Sequence, residues 1–151
     1  MSKIDDAKKS YTDITSDLQE KYGTIIAEIK VIDEIDVTSI KALVEKIDAA
    51  MSQVYFDFAE AKSVYAEMAQ RVKSQFAKKR IEAMGSVKGS ADDRRAWAED
   101  QLTQDGWYDA ETSCRNRLTF MENVVTLLER KKELLNIDRE VLRLESQVTQ
   151  Y

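Results

Sequence analysis

The stretch AMGSVKGSADDRRAWAED, residues 83–100, decides how the chain folds. It holds two of the four glycines in the sequence, and the segments on both of its sides have the pattern of helices. A phosphate-binding loop follows a strand and has the pattern GxxxxGKS or GxxxxGKT, and a dinucleotide-binding loop has the pattern GxGxxG within a βαβ unit. The segment GSVKGS fits neither pattern. The stretch therefore predicts the bend of a helical hairpin, centred on Val87 and Lys88, rather than a nucleotide site.

Turn and capping residues around this bend predict where helices begin and end. Gly85 and Gly89 are expected to take the positive φ that ends a helix. Ser90, three residues before Asp93, predicts a capping box at the start of the next helix. Capping oxygens around Asp36 predict a second bend. The predicted helices are about 3–34, 38–84, 91–104 and 107–149.

Apolar residues on both sides of the bend recur at spacings of four and three, which is typical of a coiled coil. Folding the chain at the bend places Met68 opposite Trp107 and Tyr65 opposite Ala110. Whether Gly106 interrupts the last helix is left open. The run before the bend is Ile40, Val44, Ile47, Met51, Val54, Phe58, Ala61, Tyr65, Met68 and Val72, and the run after it is Trp107, Ala110, Cys114, Leu118, Met121, Val125, Leu128, Leu135 and Leu142.

The 151 residues are predicted to form a single elongated all-α domain. The sequence has no proline and few glycines, so long helices are possible. Residues 4–32, 40–68 and 107–135 are expected to form an antiparallel three-helix bundle or coiled coil. Residues 73–106 would protrude from it as a helical hairpin arm, and residues 136–151 would overhang it as a carboxyl-terminal helix.

Composition argues against catalytic and metal-binding functions. The chain has no histidine, which is the commonest general base and the commonest metal ligand. Its one cysteine, Cys114, lies on the apolar seam and is expected to be a small core residue. We expect a protein that is not an enzyme and that has no metal, cofactor or small-molecule substrate.

The sequence also predicts a cytoplasmic protein, in the host cytoplasm if a phage encodes it. No apolar run is long enough to cross a bilayer, so no membrane association is expected. The amino-terminal residues MSKIDDAKKS have no signal-peptide core.

Charge is distributed unevenly along the chain. Residues 1–67 hold 8 Lys or Arg against 14 Asp or Glu, whereas residues 71–95 hold 8 Lys or Arg against 3 Asp or Glu, a net charge of +5. Cations beside aromatic rings suit phosphates and stacked bases, as in single-strand binders. An acidic protein surface and plain solubility are the alternatives. The candidate nucleic-acid or partner-binding residues, which we call the hairpin tip, are Lys78, Lys79, Arg80, Lys88, Arg94, Arg95 and Trp97.

The carboxyl-terminal helix carries aliphatic residues that have no predicted partner within the chain. Leaving several such side chains in water is unfavourable, which predicts a contact with a second copy or with another protein. A homo-oligomer is therefore expected. The predicted oligomer interface is Ile137, Val141, Leu142, Leu144 and Val148.

Two segments, KKRIEAMGSVKGSADDRRAWAED (78–100) and VVTLLERKKELLNIDREVLRLE (124–145), carry a resemblance to known proteins. The portion from about residue 77 to 144 resembles small helical coiled-coil proteins of tailed phages, of the kind encoded near recombination or single-strand annealing genes. The shared pattern is a helix that ends in a Gly-containing turn, an Arg-rich restart and a long Leu-rich helix. The resemblance implies a phage origin and a link to DNA metabolism, and it carries over no functional residue.

Three hypotheses for the function follow from these features. The first is a non-catalytic phage-type accessory protein that oligomerises and contacts single-stranded DNA, or a recombination protein, through the hairpin tip. The second is an inhibitor or adaptor that binds a host defence protein through its helical surface. The third is a structural scaffold.

Overall fold

The computed structural model describes residues 16–24, 26–27 and 37–149. Regular structure in these ranges is α-helical throughout, and they contain no strand. The predicted all-α fold is therefore confirmed. The helices are α1, described at 16–24 and 26–27, then α2 (Val37–Ser86), α3 (Ala91–Gln104) and α4 (Trp107–Val148).

The helix boundaries lie close to those predicted. The prediction for α3 matches both ends, α2 extends two residues beyond the predicted end at 84, and α4 ends one residue before 149. Most of the predicted first helix, and the bend expected at Asp36, lie outside the described residues. Within the described residues, no helix is both long and apolar enough to cross a membrane.

The prediction that Gly85 and Gly89 take a positive φ is wrong. Gly85 lies inside α2, and Gly106 is the only described glycine with a positive φ, at 78°. The amide of Val87 donates to the carbonyl of Ala83 at 2.9 Å, which continues the helical hydrogen-bond pattern past Gly85. The end of α2 therefore needs no left-handed residue.

Gly106 separates α3 from α4, which answers the question that the sequence left open. Its amide donates to the carbonyl of Thr103 at 3.1 Å, and its own carbonyl accepts from the amide of Ala110 at 3.1 Å. A left-handed residue after a helix is the usual place for glycine, because a side chain would be strained there. One residue thus ends α3 and begins α4.

The described residues divide into two compact units. Unit 1 contains Ser16 and Glu60–Thr119, and unit 2 contains the described residues of Asp17–Ala59 and Phe120–Tyr151. Helices α2 and α4 each contribute residues to both units. Each unit has its own buried residues.

The core of unit 1 joins α2 to α4. Met68 of α2 forms a buried cluster with Ala110 and Cys114 of α4, and Tyr65 and Trp107 pack against it. Met68 and Trp107, and Tyr65 and Ala110, are pairs that folding the chain at the predicted bend brings together. Cys114 is fully buried, as expected of a small core residue.

Unit 1 also buries an arginine. The side chain of Arg117 is 1% exposed, and its Nη2 lies 3.6 Å from Oε2 of Glu60. Among the described residues, Nε and Nη1 of Arg117 have no hydrogen-bond partner. A buried polar group without a partner destabilises the folded state, so this residue is an exception to a well-satisfied core.

Unit 2 buries the remaining apolar residues of the seams together with one carboxylate. Asp57 of α2 accepts hydrogen bonds from Tyr22 at 2.5 Å, Gln53 at 2.9 Å and Lys21 at 3.1 Å. Two of these donors belong to α1, so this buried network fixes α1 against α2. The buried apolar side chains of unit 2 include Leu18, Tyr22, Ile40, Leu43, Val44, Ile47, Met51, Val54, Met121, Val124, Leu128 and Leu135.

Candidate partner-binding surface at the hairpin tip

The loop at the hairpin tip is fixed by the predicted capping box. The hydroxyl oxygen of Ser90 accepts from the amide of Asp93 at 3.2 Å, and the amide of Ser90 donates to the Asp93 carboxylate at 2.8 Å. The hydrogen bond from the Ser90 amide is the main reason that the pKa of Asp93 lies below its ordinary value. The capping prediction is confirmed, and α3 begins at Ala91.

Gly89 is needed for space rather than for a left-handed conformation. A Cβ atom at Gly89 would lie 2.6 Å from the Oδ2 atom of Asp93 and 3.0 Å from its Cβ. A side chain there would displace the carboxylate that caps α3. At Gly85, in contrast, a Cβ atom would meet nothing within 4 Å.

Two of the predicted tip cations are engaged with carboxylates of the same unit. Lys79 lies 3.1 Å from Glu82 and 3.9 Å from Asp105, and the second contact brings the end of α2 close to the end of α3. Arg95 pairs with Glu99 at 3.1 Å. Their charges are therefore partly compensated within the chain.

Arg94 is a third cation with a contact inside the tip. Its Nε atom donates to the carbonyl of Val87 at 3.4 Å, and the side chain is half-buried. This bond links the first turn of α3 to the loop before it. Arg94 thus supports the loop, and it is less available to an external partner than a fully exposed arginine.

Lys78, Arg80 and Lys88 are the exposed tip cations that remain. Within the described residues, no hydrogen bond or ion pair engages any of the three. Three free charges within eleven residues create a local positive potential that attracts anions. They are the strongest candidates for partner contact among the predicted residues.

The tip also exposes apolar side chains that the sequence analysis did not include. Ile81 is 69% exposed and Met84 is 70% exposed, and Ala77 is exposed on the same face. The spacings of four and three among these residues place them in one line along α2, and we call them the tip stripe. The spacing of these three residues can be read from the sequence, but a line of three apolar residues is too short to stand out as a separate surface.

Two aromatic residues near the tip are only partly accessible to a stacking partner. Trp97 and Phe76 are both half-buried. In α3, Ala98 and Leu102 are fully buried, so this helix directs one face into unit 1. Trp97 borders that face, which leaves only part of its ring available to a base or a peptide.

A second apolar surface lies near the carboxyl end of α4. Four of the five predicted interface residues are largely exposed, and Leu134, which was not predicted, is 57% exposed and continues their line. Leu142 differs, because it is half-buried and lies seven residues after the buried Leu135. The exposed line, which we call the tail seam, is Leu134, Ile137, Val141, Leu144 and Val148.

Among the described residues, no group of three His, Cys, Asp or Glu side chains could hold a metal ion. Burial raises the pKa of the Cys114 thiol to about 11, and the nearby charge of Arg117 opposes this rise only in part. A thiol that is buried and protonated at neutral pH is a poor nucleophile.

Searches against protein-family models, curated proteins and solved structures return no match to this chain. The resemblance to small phage coiled-coil proteins therefore stays a prediction.

Proposed function

We propose that this protein is a non-catalytic accessory protein that binds nucleic acid, or an acidic surface of a DNA-metabolism protein, through the hairpin tip. The observation that carries the proposal is the set of three exposed and unpaired cations, Lys78, Arg80 and Lys88, on a chain whose net charge is −5. A phage origin and a cytoplasmic location belong to this proposal, and they rest on the sequence alone.

The electrostatics of the tip favour a polyanion as the partner. Each cation that contacts a phosphate displaces a condensed counterion, so binding of this kind weakens steeply with salt. The acidic remainder of the chain would repel a polyanion elsewhere, which confines contact to the tip. The half-buried Trp97 supplies a limited surface for stacking.

The test is binding to a fluorescent single-stranded oligonucleotide, measured by anisotropy over a series of salt concentrations. The variant Lys78→Glu/Arg80→Glu/Lys88→Glu should bind at least tenfold more weakly at low salt. Losing three contacts to a single strand should also reduce the slope of log K against log salt by about 2.

A charge-matched control keeps this test specific. Lys41→Glu/Lys62→Glu/Arg130→Glu changes the net charge by the same amount at exposed positions outside the tip. This control should retain most of the affinity. Equal losses in the two triple variants, or no binding by the wild type at low salt, would refute the proposal.

The second candidate is a protein-binding role, as a scaffold or as an adaptor or inhibitor that docks on a host protein. The tail seam favours it, since exposed apolar lines of this length usually mark protein contacts. Homo-oligomerisation through the predicted residues also remains a proposal. These roles are compatible with a tip that binds an anionic partner.

The antiparallel bundle with a protruding hairpin arm and an overhanging helix remains our proposal for the whole chain. Contacts within each unit support it. In unit 1, Met68 packs with Ala110 and Cys114, and in unit 2 Tyr55 donates to Glu129 at 2.5 Å. Both contacts join α2 to α4 in the order that an antiparallel pair requires.

A further inference from the structure

The tail seam has the spacing of a coiled-coil helix that lacks a partner. Leu134, Ile137, Val141, Leu144 and Val148 follow one another at intervals of three and four, and each is at least 47% exposed. Val141, Leu144 and Val148 also line a shallow apolar groove together with parts of Glu145 and Thr149. This is the geometry with which a helix packs against another helix.

Carboxylates border the tail seam on both sides. The helical repeat places Asp138 and Glu145 along one side of the seam and Glu133 and Glu140 along the other. Glu140 is paired with Arg143 at 2.6 Å, whereas no ion pair engages the other three within the described residues. From 133 to 149 the chain has four acidic and two basic residues, a net charge of −2.

These flanks oppose the pairing of two tail seams with each other. In a parallel pair with the seams in register, Glu133 of one copy would face Asp138 of the other, and Glu140 would face Glu145. In an antiparallel pair that aligns the two seams, each flank would meet its own acidic counterpart. Like charges at these positions disfavour a coiled coil of two tail seams. A partner helix with basic residues beside its apolar line fits the tail seam better.

The tip stripe has the complementary pattern. Lys78 lies three residues before Ile81 on one side of the stripe, and Arg80 lies four residues before Met84 on the other. From 77 to 88 the chain has four basic residues and one acidic residue, a net charge of +3. An exposed apolar line with cations on both sides is therefore present in the same molecule.

We propose that the tail seam of one copy docks on the tip stripe of a second copy. Apolar side chains of the two lines pack together, while Lys78 and Arg80 of one copy face the carboxylates of the other. The inference goes beyond the proposed function, since it assigns a second copy of the chain as a further partner of the same cationic tip. The interface is heterologous, so successive copies add head to tail and form a ring or an open chain.

The test is sedimentation of two charge-reversed variants, alone and mixed, at low salt. The tip variant is Lys78→Glu/Arg80→Glu/Lys88→Glu, and the tail variant is Glu133→Lys/Asp138→Lys/Glu145→Lys. Each variant alone should lose self-association at least tenfold. An equimolar mixture should recover it, because the acidic tail of the first variant meets the basic tip of the second.

Three outcomes would overturn this proposal. A wild-type chain that is monomeric at low salt has no such interface. Association that survives reversal of the tip points to pairing of tail seams, and a mixture that stays monomeric shows that charge complementarity is not the cause. Circular dichroism of each variant shows whether its helices are intact, and the charge-matched control at Lys41, Lys62 and Arg130 should associate like the wild type.

A further variant separates this inference from the proposed function. Val141→Asn/Leu144→Asn removes apolar contact from the tail seam and leaves the tip unchanged. It should lose self-association and keep the affinity for the oligonucleotide. A wild type that binds oligonucleotide but never self-associates would refute only the docking. Self-association without oligonucleotide binding would refute binding to nucleic acid and leave the docking intact.

Discussion

Tyr22 donates a hydrogen bond of 2.5 Å to the buried carboxylate of Asp57, which lies 35 residues later in the chain. Burial alone would raise the pKa of Asp57. The hydrogen bonds from Tyr22, Gln53 and Lys21, with the charge of Lys21, outweigh that effect and hold the pKa below its ordinary value. Ionised Asp57 therefore stabilises the contact between α1 and α2.

We expect Tyr22→Phe to lower the free energy of unfolding by about 1.5–3 kcal/mol at pH 7, because it removes a buried hydrogen bond to a charged group. A depressed pKa in the folded state gives stability that is present above the unfolded pKa of about 4 and is lost as pH falls through the folded pKa. The penalty should therefore shrink below about pH 4. Urea denaturation at several pH values measures it.

Tyr55→Phe is the matched control for this prediction. Tyr55 donates a hydrogen bond of the same length to Glu129, but both groups are exposed. Its removal should cost less than the removal of the Tyr22 hydroxyl. Equal costs would show that burial does not strengthen the contact between Tyr22 and Asp57.

Opposite effects on stability are expected from alanine at Gly85 and from alanine at Gly89. Gly85→Ala should raise the free energy of unfolding by about 0.5–1 kcal/mol, since Gly85 is helical and a methyl group meets no atom there. Gly89→Ala should lower it, because the methyl group displaces the Asp93 carboxylate from the capping box. Thermal unfolding of both variants checks the signs.

The serine of the capping box provides an independent measure of the same interaction. Ser90→Ala should cost about 1 kcal/mol, the usual contribution of a serine at this position. Since both variants disrupt the same capping box, combining Ser90→Ala with Gly89→Ala should cost less than the sum of the two. Strict additivity would mean that Gly89→Ala acts elsewhere.

Cys114 should make stability depend on alkaline pH. Its pKa is raised to about 11 by burial, so the unfolded thiol ionises first as pH rises. Stability is fully present below the unfolded pKa of about 8.5 and falls by at most about 1.4 kcal/mol per pH unit until pH 11. Urea denaturation between pH 8 and 11 measures this decline.

Cys114→Ala isolates the thiol from the tyrosines and lysines that titrate in the same range. Its stability will be lower at pH 8, because a buried side chain is truncated, but its decline with pH should be shallower. If stability falls with pH equally in the variant and the wild type, folding does not raise the pKa of the Cys114 thiol. The Cys114 thiol of the native protein should also react slowly with an alkylating reagent at pH 8, because it is buried and protonated.

Replacing Arg117 with methionine should leave the stability unchanged or increase it. Two of the guanidinium nitrogens lack partners within the described residues, so an apolar side chain of similar length avoids their desolvation penalty. Glu60→Gln should instead destabilise the protein, because it removes the carboxylate nearest to the buried charge. Chemical denaturation of the two single variants measures the sign of each change in the free energy of unfolding.

Arg115→Met serves as the control for Arg117. Arg115 is exposed and lies 3.9 Å from Glu111, so its replacement should change stability little. A large loss in Arg117→Met with no loss in Arg115→Met would contradict the prediction. It would show that the buried guanidinium has a stabilising partner.

Much of the fold was predictable, because it depends on local patterns. The seam from Ile40 to Val72 indicated which side of α2 is buried, and Ser90 with Asp93 indicated where α3 begins. Such signals need only the helical repeat and the chemistry of neighbouring residues. The same reasoning failed at Gly85 and Gly89, since it could not show that α2 continues past Gly85.

The details of the candidate site depend on contacts between residues distant in sequence. The contact of Lys79 with Asp105, across 26 residues, shows which cations are engaged, and no local pattern indicates it. Tyr22 was not assigned to the core, because no local pattern indicates that its hydroxyl meets a carboxylate 35 residues later. Asp57 could not be assigned to the core without knowing that it has three donors.

The glycine between α3 and α4 has a consequence for how this part of the chain opens. The amide of Gly106 bonds to Thr103 in the last turn of α3, and its carbonyl receives the amide of Ala110 in the first turn of α4. Rotating Gly106 out of its left-handed conformation would disrupt both bonds at once. The two turns should therefore exchange their amide hydrogens with solvent as one cooperative element, rather than fraying independently as ordinary helix termini do.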